Sequence, residues 1–158
     1  MDILMVCLGN ICRSPMAEGV MRNVAVLHGL QIHIQSCGTQ GYHSGECPDP
    51  RAIKAAASHH VDISKQRARM FVANDFERFD LILAMDNKNR LDILKQSNSK
   101  AHQAKVRLFL SVLNDPQVTD VPDPYYGSAD DFELVYQLCT RAAEAWCIYL
   151  LSQQGRNR

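Results

Sequence analysis

There is no surplus of charge in this sequence, in which 17 Lys and Arg face 17 Asp and Glu. Binding to nucleic acid or another polyanion rests on a basic excess, so no nucleic-acid partner is expected. No apolar run is long enough for a membrane span. The longest stretch without formal charge, 23–45, carries His28, Gly29, Gln31, His33, Gln35 and Gln40, too many polar groups for a bilayer core. The first apolar run follows Asp2 with no basic residue before it, unlike a secretory leader, and a cytoplasmic location is the expectation. Neither a GxGxxG nor a GxxxxGK(S/T) motif occurs, which argues against a nucleotide-binding domain. No CxxC pair occurs, and His59 and His60 are adjacent rather than one helical turn apart. No metal site and no cofactor are therefore expected. There is no internal repeat, low-complexity tract or linker, so residues 1–158 read as one domain, with a polar tail at 152–158 that is expected to fray.

Six cysteines are present, at 7, 12, 37, 47, 139 and 147. Without a leader they do not suggest a secreted disulfide scaffold, and Cys139 and Cys147 fall in a helical pattern where small buried thiols are common. Ile3-Leu4-Met5-Val6 is a short continuous apolar run, the mark of a strand covered on both faces. Ser14-Pro15 offers an N-cap and a first-turn proline for a helix carrying Met16, Val20, Val24 and Leu27, with Gly29 as its stop. Ile32 to Ile34 reads as a second strand, 38–50 as a loop, and Asp49 to His60 as a helix. Leu81 to Ala84 is a third strand, Asn87 to Lys95 a helix, and Val106 to Leu110 a fourth strand. The stretch 111–129, with three prolines, reads as a functional loop. A final helix starts near Ser128 and Asp130-Asp131, with Phe132, Val135, Tyr136, Cys139, Ala142, Ala143, Trp146 and Leu150 as its apolar stripe. This alternation predicts an α/β fold, a single open parallel sheet flanked by helices, with the ligand site at the carboxyl ends of the strands.

The chemistry concentrates where the first strand ends. Cys7, then Leu8-Gly9-Asn10-Ile11-Cys12, then Arg13 and Ser14 run from a buried strand straight into a helix. Loop amides and a helix N-terminus make an anion cradle. Arg13 adds a planar fork that matches two phosphate oxygens, and Gly9 permits a tight backbone turn. The same groups surround the Cys7 sulfur. A helix terminus contributes at most about 2 kcal/mol to a nearby anion, and each charge-assisted hydrogen bond about 1.5–3 kcal/mol. Together, with the Ser14 hydroxyl as one donor, they predict a thiolate at Cys7. A thiolate inside an anion cradle suits attack on phosphorus, with the loop taking up charge on the equatorial oxygens.

Val6-Cys7-Leu8-Gly9-Asn10-Ile11-Cys12-Arg13-Ser14-Pro15 resembles the signature loop of the low-molecular-weight protein tyrosine phosphatases. Asp123-Pro124-Tyr125-Tyr126-Gly127 resembles that family's general-acid loop. Ser36-Cys37-Gly38-Thr39, Pro48-Asp49-Pro50-Arg51 and Met85-Asp86 through Asn89 follow in the family's order. The resemblance implies a four-stranded parallel sheet with the phosphate loop after the first strand, and hydrolysis of phosphotyrosine on proteins through a cysteinyl-phosphate without metal. It makes Cys7 the nucleophile, Arg13 the phosphate ligand, and Asp123 the acid that protonates the leaving phenolate and then activates water. Asp49-Pro50 and Asp115-Pro116 are equally Asp-Pro, so the resemblance alone singles out Asp123. Every charged residue between Arg107 and Arg141 is acidic, which would favour a protonated carboxyl there.

Tyr42, Tyr125 and Tyr126, with Ile11, are candidates for the walls of a slot for an aromatic ring. Asn10 and Ser36 match family positions that brace the phosphate loop, beside Ser14. Gln66 stands where many members have a His in that bracing, and Cys47 replaces a frequent Pro. Cys12 fits the family and would close a reversible disulfide with Cys7. The implied partners are phosphotyrosine proteins, a tyrosine kinase among them, and the implied state is a monomer with weak dimerisation through the acid loop. Thioredoxin-coupled arsenate reductases share the loop, but need a resolving cysteine pair where this chain has none, between Cys47 and Cys139. Protein-arginine phosphatases carry Thr where Ile11 stands, and the strand-end cysteine of sugar-transport IIB domains lacks an arginine like Arg13. A silent phosphotyrosine-binding module would be free to lose Cys7 or Asp123.

Overall fold

The computed structural model describes residues 1–156. Strands β1 (Asp2–Cys7), β2 (His33–Gly38), β3 (Leu81–Ala84) and β4 (Val106–Leu108) form one sheet in the order β2-β1-β3-β4. All neighbours are parallel, with Cys7 opposite Gly38 and Val6 opposite Ala84. Helices α1 (Arg13–Leu27), α2 (Pro50–Ala57), α3 (Asp75–Arg78), α4 (Asn87–Leu94), α5 (Lys100–Ala104) and α6 (Ala129–Arg156) complete the α/β fold. The pleat of β1 divides the core. Ile3, Met5 and Cys7 face a cluster built with α1 and α6, while Leu4 and Val6 face Phe71, Phe76, Phe79 and Ile93 on the other side. Parallel strands covered on both faces require such unbroken apolar runs.

Local chemistry explains most boundaries. Gly29, at φ +65°, ends α1: its N–H reaches the Val26 carbonyl at 3.1 Å, and the Leu30 N–H reaches that of Ala25 at 2.9 Å. Asp49 caps α2 through the Arg51 N–H, with Pro50 in the first turn, and Asp86 caps α4 through the Asn89 N–H at 2.7 Å. At α6 the Asp131 carboxylate accepts from the Ser128 N–H at 2.7 Å.

Several expectations are corrected, among them the second strand, which runs past Ile34 to Gly38. Helix α1 starts at Arg13 with Cys12 in the cap position; Ser14 is no N-cap, because its hydroxyl is engaged at the Cys7 sulfur. Strand β4 stops at Leu108, opposite Ala84 where its neighbour β3 also ends, and Phe109–Leu113 winds as a 3-10 turn whose Phe109 carbonyl accepts from buried Trp146 Nε1 at 2.8 Å. The short helices α3 and α5 had no counterpart in the periodicity. Helix α6 continues to Arg156, so the stretch from 152 expected to fray is helical as far as it is described; 157–158 lie outside the described residues. No helix is long and apolar enough to cross a membrane among the described residues.

With β1 and β3 adjacent and the chain proceeding to opposite sides of them, the topological switch falls between their carboxyl ends. Cys7 and Asp86 both lie there.

Candidate active site

The loop after Cys7 is held from outside by backbone. Thr39 N–H donates to the Cys7 carbonyl at 2.9 Å, Gln40 N–H to that of Leu8 at 2.9 Å, and Asp49 N–H to that of Ile11 at 2.8 Å. Asn10 takes φ +58°, a left-handed conformation that Asn tolerates better than most residues. Its N–H turns inward to the Cys7 Sγ at 3.3 Å. Gly38 lets β2 approach this loop: a Cβ there would lie 2.6 Å from the Leu8 carbonyl oxygen and 3.1 Å from the Asn10 nitrogen.

Beneath the loop runs a chain of hydrogen bonds whose direction is set at its far end. Glu18, on α1 and buried, accepts from the Ser36 hydroxyl at 2.6 Å and pairs with Arg22 at 2.5 Å. Having donated its only proton, Ser36 accepts from Asn10 Nδ2 at 2.9 Å. The other Nδ2 proton goes to Ser14 Oγ at 2.8 Å, so the Ser14 hydroxyl is left as a donor toward Cys7 Sγ at 3.0 Å, with the Cys37 carbonyl as a weaker acceptor at 3.3 Å. Asn10 Oδ1 accepts from Arg69 N–H at 3.1 Å. All the polar atoms of the Asn10 side chain are thus used, and Asn10 is 2% exposed. Gln66 belongs to this network. Its Nε2 donates to the Pro15 carbonyl at 3.0 Å, and its Oε1 lies 3.5 Å from Ser36 Oγ. The structure thus brings Asn10, Ser14 and Ser36 together, and the contribution of Glu18 was not foreseen. The spacing of Ser14, Glu18 and Arg22, four residues apart on one helix face, was the available signal.

Arg13 opens α1 and is 3% exposed. Its Nη1 donates to Asp86 Oδ2 at 2.6 Å and to the Val121 carbonyl at 3.1 Å, and its Nη2 lies 3.6 Å from Asp123 Oδ2. Burial opposes its charge, yet the Cys7 sulfur, the hydrogen bond to Asp86 and the carboxylate of Asp123 raise its proton affinity above the ordinary value. The sequence reading assigned no role to Asp86 or Val121. Asp86 follows directly on β3, where this sheet topology places ligands, and that position was the clue. Asp120, from the acidic stretch, accepts from the Asn87 N–H at 3.2 Å.

Above the loop opens a cavity of about 300 Å³. Cys7, Leu8, Gly9, Ile11, Cys12 and Arg13 make its base, and Tyr42, His43, Asp123, Tyr125 and Tyr126 its sides. Tyr42 is 73% and Tyr126 97% exposed, and Tyr125 meets Tyr126 edge to face at 4.9 Å. The three tyrosines are thus brought to one opening. His43 was missed; its ring packs against Gly9, and Nδ1 pairs with Glu46 at 2.8 Å. Among the cysteines, Cys47 is exposed and the others are buried. Burial pushes the Cys12, Cys37 and Cys139 thiols far above their usual range and that of Cys147 up to about 11. All four are protonated at neutral pH. Among the described residues no three His, Cys, Asp or Glu side chains are grouped to hold a metal ion. Chemically, the arrangement offers a sulfur facing two donors, a buried cation, and a carboxylate reaching in from the rim.

Comparison with known proteins gives a consistent answer. Residues 2–156 match the family model described as low molecular weight phosphotyrosine protein phosphatase. The human protein of that name is 41% identical over 149 residues, 92% of each chain, and its fission-yeast counterpart from Schizosaccharomyces pombe is 42% identical over 134 residues, 83% of this chain and 85% of that one. A crystal structure of protein tyrosine phosphatase from Entamoeba histolytica, with Hepes in the active site, superposes with a TM-score of 0.92 at 36% identity, covering 98% of this chain and 99% of that one.

Proposed function

This chain belongs to the low molecular weight phosphotyrosine protein phosphatase family, and we propose that it hydrolyses phosphotyrosine on proteins through a cysteinyl-phosphate, with Cys7, Arg13 and Asp123 as its catalytic residues. The observation that carries this reading is the convergence on one cavity of the Cys7 sulfur with its two donors, a buried Arg13, and Asp123 at 3.6 Å from that arginine.

In the first step the Cys7 thiolate attacks phosphorus, and the bond to the phenolic oxygen breaks. Asp123 gives its proton to that oxygen, because a phenol of pKa about 10 leaves poorly as an anion. Arg13 and the amides of residues 8–14 receive the charge on the three equatorial oxygens. Asp86 and the Val121 carbonyl fix one end of the guanidinium, so Nη2 is the end presented to the phosphoryl group. In the second step the Asp123 carboxylate takes a proton from water as the water oxygen bonds to phosphorus and the P–S bond breaks. The sulfur then departs as the thiolate, to which Ser14 donates. Tyr42, Tyr125, Tyr126 and Ile11 form the slot for the phosphotyrosine ring, with polypeptide as the substrate class.

Cys12 is a protonated thiol in the same loop. On oxidation of Cys7 to the sulfenic acid by a peroxide, which is reduced to water or an alcohol, Cys12 would condense with it, releasing water and forming a reversible disulfide. Six unpaired thiols support a reducing compartment, and hence a cytoplasmic site of action.

Hydrolysis of an aryl phosphate in excess EDTA, by wild type and Cys7→Ser, tests the mechanism. Turnover by the wild type and none by the variant is expected. A wild type that binds phosphate under reducing conditions but turns nothing over would instead make this a phosphotyrosine-binding module.

A further inference from the structure

The segment that carries Asp123 has few anchors of its own. Between Val121 and Ser128 only Pro124 is buried, and the contact of Asp123 with Arg13 is the one that an incoming phosphate must share. A second hold comes through Asp49 and Arg51. The Asp49 N–H is bonded to the Ile11 carbonyl of the phosphate loop. Its carboxylate takes a two-pronged contact from Arg51, with Nε at 3.1 Å and Nη2 at 2.9 Å. So oriented, the guanidinium lies over two rings, with Cζ 4.7 Å from the centroid of buried Phe132 and 5.5 Å from that of Tyr125. Tyr125 in turn donates its N–H to Asp123 Oδ1 at 3.1 Å.

We propose that Arg51 is a positioning residue, which ties the acid segment to the phosphate loop and so sets where Asp123 delivers its proton. The line runs from Ile11 through Asp49 and Arg51 to Tyr125 and Asp123. A planar guanidinium can use its edge for a carboxylate while its faces stack on aromatic rings, which a lysine ammonium cannot. None of these contacts involves Arg13. This inference rests on the reading of Asp123 as the acid.

The test uses kcat/KM, which reports the step in which the phenol leaves, across aryl phosphates of graded leaving groups. General acid catalysis contributes about 10²–10⁴-fold, and a displaced acid forfeits part of it. Arg51→Gln should lower kcat/KM for phenyl phosphate about tenfold. For 2,4-dinitrophenyl phosphate, whose phenolate leaves without help, it should stay within about twofold. Asp123→Asn should show the same pattern more steeply, and Arg51→Gln added to Asp123→Asn should cost nothing more, since non-additivity marks residues acting as one. If Asp123→Asn fails to discriminate between the two esters, the acid assignment itself falls. If it discriminates but Arg51→Gln slows both esters alike, or neither, or adds to Asp123→Asn, the role of Arg51 is overturned.

Discussion

Gly38→Ala isolates the close approach on which the phosphate loop depends. Gly38 is not at a positive φ, so the backbone accepts alanine without strain; the obstacle is space. An added Cβ would stand 2.6 Å from the Leu8 carbonyl oxygen, 3.0 Å from that of Gln40 and 3.1 Å from the Asn10 nitrogen. Ordinary contact begins at 3.4 Å, so 3.4 less 2.6 leaves 0.8 Å to be found. All three neighbours are backbone and cannot rotate aside. Gly38 cannot retreat either, since its N–H is bonded to the Arg69 carbonyl at 2.8 Å and its carbonyl to the Phe71 N–H at 2.7 Å. The phosphate loop must give. Overpacking of this kind costs about 1–3 kcal/mol, and for a domain of this size each kcal/mol lowers Tm by about 2–4 °C. Misplacement of a reacting group by about 1 Å costs about 10²-fold in rate. The variant should therefore lose about two orders of magnitude in kcat/KM on an aryl phosphate with only a modest fall in Tm. Gly29→Ala is the matched control. Its φ of +65° penalises alanine, yet nothing lies within 4 Å of an added Cβ, so it should lose about 1–2 kcal/mol of stability and no activity. A Gly38→Ala protein with wild-type rate and Tm would refute the argument.

Other outcomes follow from the same geometry. Asp86→Asn removes the charged partner of buried Arg13 and should lower kcat/KM and weaken phosphate binding together, read by kinetics and by the Tm shift on adding phosphate; an unchanged phosphate-induced shift would contradict the anchoring role. Iodoacetate at neutral pH should label exposed Cys47 and Cys7, the proposed nucleophile, while Cys12, Cys37, Cys139 and Cys147 stay protonated and silent, with phosphate protecting Cys7 alone; mass spectrometry that finds Cys12 labelled first would be inconsistent with this. Trp146→Ala empties a fully buried site and strands the Phe109 carbonyl, and should cost about 3–5 kcal/mol in urea unfolding. The hydrogen bond from Arg51, aided by its N–H, depresses the Asp49 carboxyl below its usual value against a smaller opposing effect of burial. A depressed carboxyl stabilises the fold above its unfolded pKa of about 4 and ceases to as pH falls through the folded value. The stability gap between wild type and Asp49→Asn should accordingly be full at pH 7 and shrink below about pH 4; a gap that grows on acidification would reverse the sign of the argument.

Much of this molecule is written in contiguous stretches of chain. The run Ile3 to Val6, the loop to Arg13, the stop at Gly29, Leu81 to Ala84 and the stripe from Phe132 to Leu150 each carry their physics locally. A strand buried on both faces must be continuously apolar, a helix end needs a residue that accepts positive φ, and an anion cradle needs a strand, a turn and a helix in succession. Where two needs compete for the same atoms, sequence reasoning fails. Ser14 looks like a cap, but the sulfur seven residues away claims its hydroxyl. Leu110 continues an apolar run, yet β4 ends at Leu108, where its partner β3 ends, and Trp146, far along the chain, takes the Phe109 carbonyl. The helices of four and five residues, α3 and α5, are too short to show a period at all. The sequence by itself determined the loop from Cys7 to Arg13 and the layered α/β fold, because those depend on neighbours within one strand-turn-helix. Only tertiary structure decided what holds them: Asp86 on Arg13 across 73 positions, Glu18 orienting Ser36, and Arg51 between Asp49 and Tyr125. Each is a pairing of groups that become partners only once parallel strands and their crossovers have brought distant ends of the chain to one edge of the sheet.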